Sequence, residues 1–107
     1  MKATKAFVSV VSVLVAIGIL FLALHITPKV ALRTHLFFMG YPKAAITTEI
    51  VDDEFHNREE KEAFEKTNTK AYTLTEPPTE KATQGELRNF RVTKDGYLYF
   101  ADYLGEF

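Results

Sequence analysis

Cysteine is absent from these 107 residues, so the chain has no disulfide, no thiolate metal site and no cysteine nucleophile. No Gly-rich phosphate loop, no H-E-x-x-H and no G-x-S-x-G is present, which removes the common nucleotide-binding, zinc-protease and serine-hydrolase signatures. An excess of positive charge is also missing. Thirteen Lys+Arg stand against 14 Asp+Glu, and from Thr27 to Phe107 the count is 11 against 14, the opposite of the positive field that nucleic-acid binding needs. The chain has room for one small domain.

The mean hydropathy of -0.07 blends two unlike parts. Ala6 to Ile26 (AFVSVVSVLVAIGILFLALHI) holds 21 residues with no Asp, Glu, Lys or Arg, and 17 of them are apolar. As a helix this run spans about 31 Å, the thickness of a bilayer's hydrocarbon core. A soluble core helix would carry a polar stripe, and here the only polar side chains are Ser9, Ser12 and His25. A cleaved secretory signal would need a small-x-small site after the run, and none is present. The expectation is therefore a basic leader over residues 1–5, an uncleaved transmembrane helix over 6–26 and a small domain over 27–107. Lys2 and Lys5 precede the span while Lys29, Arg33 and Lys43 follow it, so charge nearly balances across it. A short basic leader followed at once by the apolar run favours a signal anchor with the carboxyl domain outside the cytoplasm. Ser12 and Ala16 make a single small-xxx-small pair that reads as lipid-facing filler, and His25 reads as an interfacial imidazole.

Beyond the span, Thr27-Pro28 reads as an N-cap and first helical position, and Leu32, Leu36 and Met39 recur on one face up to a stop at Gly40. This short amphipathic helix offers Phe37 and Phe38 either to the following sheet or to a membrane surface or partner, with the sheet preferred because it needs a cover. Ala45 to Val51, Lys70 to Thr75 and Leu87 to Thr93 read as strands, and Asp95-Gly96 as the two-residue turn into a fourth. That turn would pair Val92 with Tyr99, Phe90 with Ala101, Thr93 with Leu98 and Arg91 with Phe100. Twelve of the 14 aromatics lie after residue 26, which marks the tail as folded rather than disordered.

Between the first two strands, Asp52 to Asn68 carries seven acids and three bases. Asn57 and Glu60 have capping-box spacing, giving a helix from Arg58 to Lys66 with Phe64 as its buried anchor. Asp52, Glu54, His56 and Glu60 are spaced like metal ligands, but a calcium loop counted from Asp52 puts Asn57 where glycine belongs and Ala63 where the bidentate Glu belongs. The segment is better read as a solvated acidic helix face, so neither a metal site nor a cofactor site is expected. No catalytic residues are assigned, because the acid pairs lie in charged surroundings that would not raise a carboxyl pKa. Lys81, Arg88, Arg91 and Lys94 form the one basic patch.

The basic leader, the single span, a helix ending in Gly-Tyr (Ala31 to Tyr41) and an Ile-containing strand (Ile46 to Ile50) resemble the short single-span membrane proteins of unknown function found in Gram-positive bacteria. The resemblance covers about residues 1–50. It implies an envelope location and transfers no catalytic residues.

The expected fold is therefore α+β: a transmembrane helix, a short amphipathic helix and a small, mostly antiparallel sheet of three to four strands ending in a hairpin. The expected role is a non-catalytic binding, regulatory or accessory module that contacts membrane lipid and another envelope or membrane protein. Phe37, Phe38, Arg88, Arg91, Tyr97, Tyr99 and Tyr103 form its candidate interaction surface. The competing roles are a small membrane-tethered hydrolase or metal-dependent enzyme, and a cytoplasm-facing subunit of a membrane complex.

Overall fold

The computed structural model describes residues 2–105, with side chains from residue 4 onward. Met1 of the leader and the last two residues of the aromatic ending lie outside the described residues. Helix α1 (Lys2–Leu24) takes up the apolar run, and its side chains from Thr4 to Ala23 are all exposed. Helix α2 (Pro28–Phe38) starts as its sequence dictates. Thr27 is extended, its hydroxyl accepts the Val30 N–H at 3.2 Å, and Pro28 occupies the first turn. It ends in a Schellman arrangement: Gly40 is left-handed at φ 99°, while Tyr41 N–H donates to Leu36 O at 3.0 Å and Gly40 N–H to Phe37 O at 3.1 Å.

The next element corrects the expected first strand. Residues Pro42–Thr47 form a helix, α3, and only Ile50–Asp52 is strand β1. Pro42 that ends one helix also starts another, because its fixed φ suits a first helical turn and Ala44 and Ala45 carry it on. After β1 come two short helices, α4 (Glu54–Glu59) and α5 (Lys61–Thr67), where a single one was expected. Asp53 takes the capping role assigned to Asn57, accepting the His56 N–H at 3.1 Å. The Asn57 carboxamide instead accepts the Ala71 N–H at 2.7 Å and donates to the Ala71 carbonyl at 2.9 Å, so it continues the sheet ladder one rung beyond β1. Asn68, left-handed at φ 54°, closes α5.

Strands β2 (Thr69–Leu74), β3 (Asn89–Asp95) and β4 (Leu98–Tyr103) complete one antiparallel sheet in the order β1-β2-β3-β4. The hairpin is real but its turn is Gly96-Tyr97, with Asp95 opposite Leu98. Gly96 at φ 64° is the first loop residue, as a type II′ turn requires, and that outweighs the Asp-Gly preference. Val92 therefore pairs with Ala101, Phe90 with Tyr103, Thr93 with Phe100 and Arg91 with Asp102. The slip is two residues, so every side chain keeps its expected face.

The core lies between the sheet and α2–α3. Leu32 and Leu36, both 0% exposed, meet Ala45, Ile50, Tyr72, Leu74, Leu87, Phe90 and Val92, with Tyr41, Tyr99, Ala101 and Tyr103 around them. On the opposite face α4 and α5 cover β2, burying Ala71 and Phe64. Phe37 and Phe38 do not pack on the sheet: they are 55% and 75% exposed. A helix has one core-facing stripe, and Leu32 and Leu36 occupy it here. Urea denaturation of the full chain in detergent should therefore show Leu36→Ala lowering stability by about 2–5 kcal/mol, and Phe38→Ala changing it by less than about 0.5 kcal/mol.

Candidate interaction surface

The joint between α1 and the rest of the chain is built from hydrogen bonds. The last carbonyls of any helix lack intrahelical partners. Here the His25 imidazole Nδ1 meets Phe21 O at 2.8 Å, the His25 N–H donates to Leu22 O at 3.1 Å and the Thr34 hydroxyl lies 3.1 Å from Leu24 O. The carbonyl of His25 accepts the Tyr99 N–H at 2.8 Å, so β4 is tied to the same joint through its outer edge. Phe100 packs on His25 and Phe21, with ring centroids 5.0 and 6.4 Å apart. From this joint α2 turns back beside α1. Thr34 and Phe38 of α2 share an open cleft with Ile17, Leu20 and Leu24 of α1, and Phe100 and Ala101 also line it.

The outward side of α2 forms a second depression, an open groove of about 550 Å³ lined by Leu24, Val30, Phe37, Phe38, Ala45 and Ile46, with Thr34 and Arg33 at its edges. Ile46 is 77% exposed. The Arg33 guanidinium donates to the carbonyls of Ala45 at 2.9 Å and Ile46 at 3.4 Å, which fixes α3 against α2. Ile46 was missed in sequence because the strand assignment hid it. The signal available was Pro42 followed by two alanines.

The remaining residues of the expected surface do not join this groove. Arg88 pairs with Glu86, and Arg91 pairs with Asp102 at 2.9 Å. Lys94 Nζ sits 5.9 Å from the Tyr99 ring centroid. The basic patch is thus dispersed among local partners. Tyr99 and Tyr103 pack at the core margin, with Tyr103 5.4 Å from Phe90. Tyr97 alone of the tyrosines stands out, 88% exposed at the hairpin tip.

The acidic segment does not converge on a cation. Asp52 pairs with Lys70 at 3.1 Å, and among the described residues no group of three or more His, Asp or Glu side chains is close enough to hold a metal. Its most unusual feature is the Asp53–His56 pair, in which the carboxylate meets both the His56 N–H and the imidazole Nδ1. Nε2 of His56 is buried without a hydrogen-bond partner. The ring is 4% exposed, so a solvent-borne substrate does not reach it in this conformation. Outside α1, burial lowers the pKa of His35 while the Asp102 charge partly opposes it, and the Arg91 hydrogen bond lowers that of Asp102.

One four-stranded antiparallel sheet, packed between two pairs of short helices and joined to a helix long and apolar enough to cross a membrane, defines the class: α+β with a candidate span. Within it, the chain belongs to the YjcN family, whose model matches residues 1–105. No curated protein and no solved structure matches the chain.

The His35 shift has a measurable sign. Because the folded state binds a proton less readily than the unfolded chain, whose value is near 6.5, stability falls as the pH drops through and below that value. Thermal melts between about pH 7 and pH 5 should show this loss, and His35→Gln should flatten it.

Proposed function

We propose that this chain is a single-pass membrane protein whose α+β domain acts without catalysis, as a binding or accessory module for another membrane or envelope protein. The observation that carries the reading is α1. Within Thr4 to Leu24 an 18-residue window has a mean hydropathy of 2.9, and none of that window is buried by the rest of the protein. In water so long an apolar surface would be left uncovered, and a bilayer is the solvent that accepts it.

The non-catalytic part is supported by the chemistry of the side chains. The Asp53–His56 pair is closed to solvent, the other acids of residues 52–68 are solvated or ion-paired, and the apolar groove beside α2 has a single charged side chain, Arg33, whose Nη1 is turned to the Ala45 and Ile46 carbonyls. In this reading the apolar segment, which is followed by no small-x-small cleavage site, stays uncleaved as a signal anchor in the cell membrane, and the resemblance to Gram-positive single-span proteins implies the envelope location. The carboxyl domain then lies outside the cytoplasm.

Because the native chain has no cysteine, sidedness can be read by placing one at the exposed hairpin tip. Tyr97→Cys in intact cells should react with a membrane-impermeant maleimide before lysis. Labelling only after lysis would reverse the orientation and favour a cytoplasm-facing subunit. The enzyme alternative is addressed separately: full-length protein purified in detergent should hold no stoichiometric metal and turn over no hydrolase substrate, and a metal lost on Asp53→Ala would contradict the binding reading.

A further inference from the structure

We propose that the α2–α3 face is a second membrane contact, seated in the headgroup layer of the same bilayer that α1 crosses. This rests on the single-span reading above. On that reading the domain is no free body on a stalk; it lies down on the lipid with Phe37, Phe38 and Ile46 inserted.

Three observations converge on lipid as the occupant. The first is continuity. Leu24, half-buried at the end of α1 just after the exposed Phe21 and Leu22, also lines the α2–α3 groove, so the apolar surface of α1 runs up to the wall of that groove. The second is depth. Phe38 shares a cleft with Leu20 and Ile17, which lie about 6–10 Å back along α1 from Leu24. A bilayer that covers those two residues reaches Phe38 as well. That depth matches the insertion of an interfacial helix, whose apolar face sinks about 5–10 Å into the headgroup and acyl boundary.

The third is charge. From Thr27 to Thr48 the chain carries Lys29, Arg33 and Lys43 and no acid, whereas from Glu49 onward eight bases face 14 acids, a net charge of -6. An anionic lipid surface attracts the first segment and repels the second, so the field turns the α2–α3 face down and the acidic helices away, with β4 alone of the strands meeting the bilayer edge through Phe100. Arg33 contributes twice. Its charge lies near the headgroups, and its bonds to Ala45 and Ile46 carbonyls hold Phe37 and Ile46 on one rigid surface that needs little reordering to insert.

The chain has no tryptophan, so single replacements report cleanly. Phe38→Trp and Ile46→Trp fall on exposed side chains and should leave the core intact; Val13→Trp marks the span and Tyr97→Trp the water-exposed hairpin tip just beyond the joint. Each full-length variant is reconstituted into vesicles of phosphatidylglycerol and phosphatidylcholine, the latter brominated near the headgroup end of its acyl chains, beside unbrominated vesicles. Phe38→Trp and Ile46→Trp should emit at shorter wavelength than Tyr97→Trp and lose most of their emission to bromine, while Tyr97→Trp should be quenched only by aqueous iodide. If Val13→Trp is bromine-quenched but Phe38→Trp and Ile46→Trp behave like Tyr97→Trp, docking is wrong and the span stands. If the Phe38→Trp emission is shifted to shorter wavelength yet untouched by both quenchers, a second copy or another part of the protein covers the face, and docking is again wrong. If Val13→Trp escapes lipid quenching, the single-span reading itself fails.

Discussion

The last turn of α1 has carbonyls that no helical N–H can reach, and how they are satisfied sets the rest of the arrangement. In water they would simply be hydrated. This chain supplies three partners: the His25 ring at Phe21 O, the His25 N–H at Leu22 O, and the Thr34 hydroxyl, shared with Val30 O, at Leu24 O. The His25 carbonyl just past the helix accepts the Tyr99 N–H, so α2 and β4 both meet the end of α1. The sheet and α2 are therefore locked to the end of α1 rather than hung from it, and the orientation of every other surface follows.

That lock explains why α2 has two apolar sides. One carries Leu32 and Leu36 into the core, where the sheet presents Tyr72, Leu74, Phe90 and Val92. The other carries Phe37 and Phe38 beside Ile46, away from the core and next to the exposed apolar surface of α1. A helix apolar on both sides suits a position between a protein core and a second apolar medium. The charge distribution agrees with it, because the basic residues of the tail that meet no acid in sequence are those nearest α1, while the acids collect on α4, α5 and the segments beyond.

Much of this is legible in the sequence where a signal is local and unopposed. The apolar run, the Thr27-Pro28 start, the Gly40 stop, strand β2 and the burial of Phe64 each follow from a few adjacent residues. Legibility fails where one residue has two possible uses. Pro42 marks a stop and also a new start, and only the packing of Ala45 under the sheet shows the second. Asn57 has the spacing of a cap, yet its carboxamide fits the open Ala71 rung, a partner 14 residues away that spacing cannot reveal. The Asp-Gly pair predicts a hairpin correctly but places its turn one residue early, because strand pairing on both sides selects the register. Of the expected interaction surface, Phe37, Phe38, Tyr97, Arg88 and Arg91 are exposed, the two arginines each beside a carboxylate, while Tyr99 and Tyr103 pack at the core margin. Charge and aromaticity mark a residue as able to bind; they do not say whether the fold has already used it.

An uncleaved anchor would remain both in the chain and in the membrane. Alkaline extraction of membranes holding the full-length protein, with intact-mass determination of each fraction, reads both at once. The proposed anchor leaves the uncleaved chain of 12.2 kDa in the membrane pellet. A shortened chain lacking the apolar segment, released into the supernatant, would contradict it.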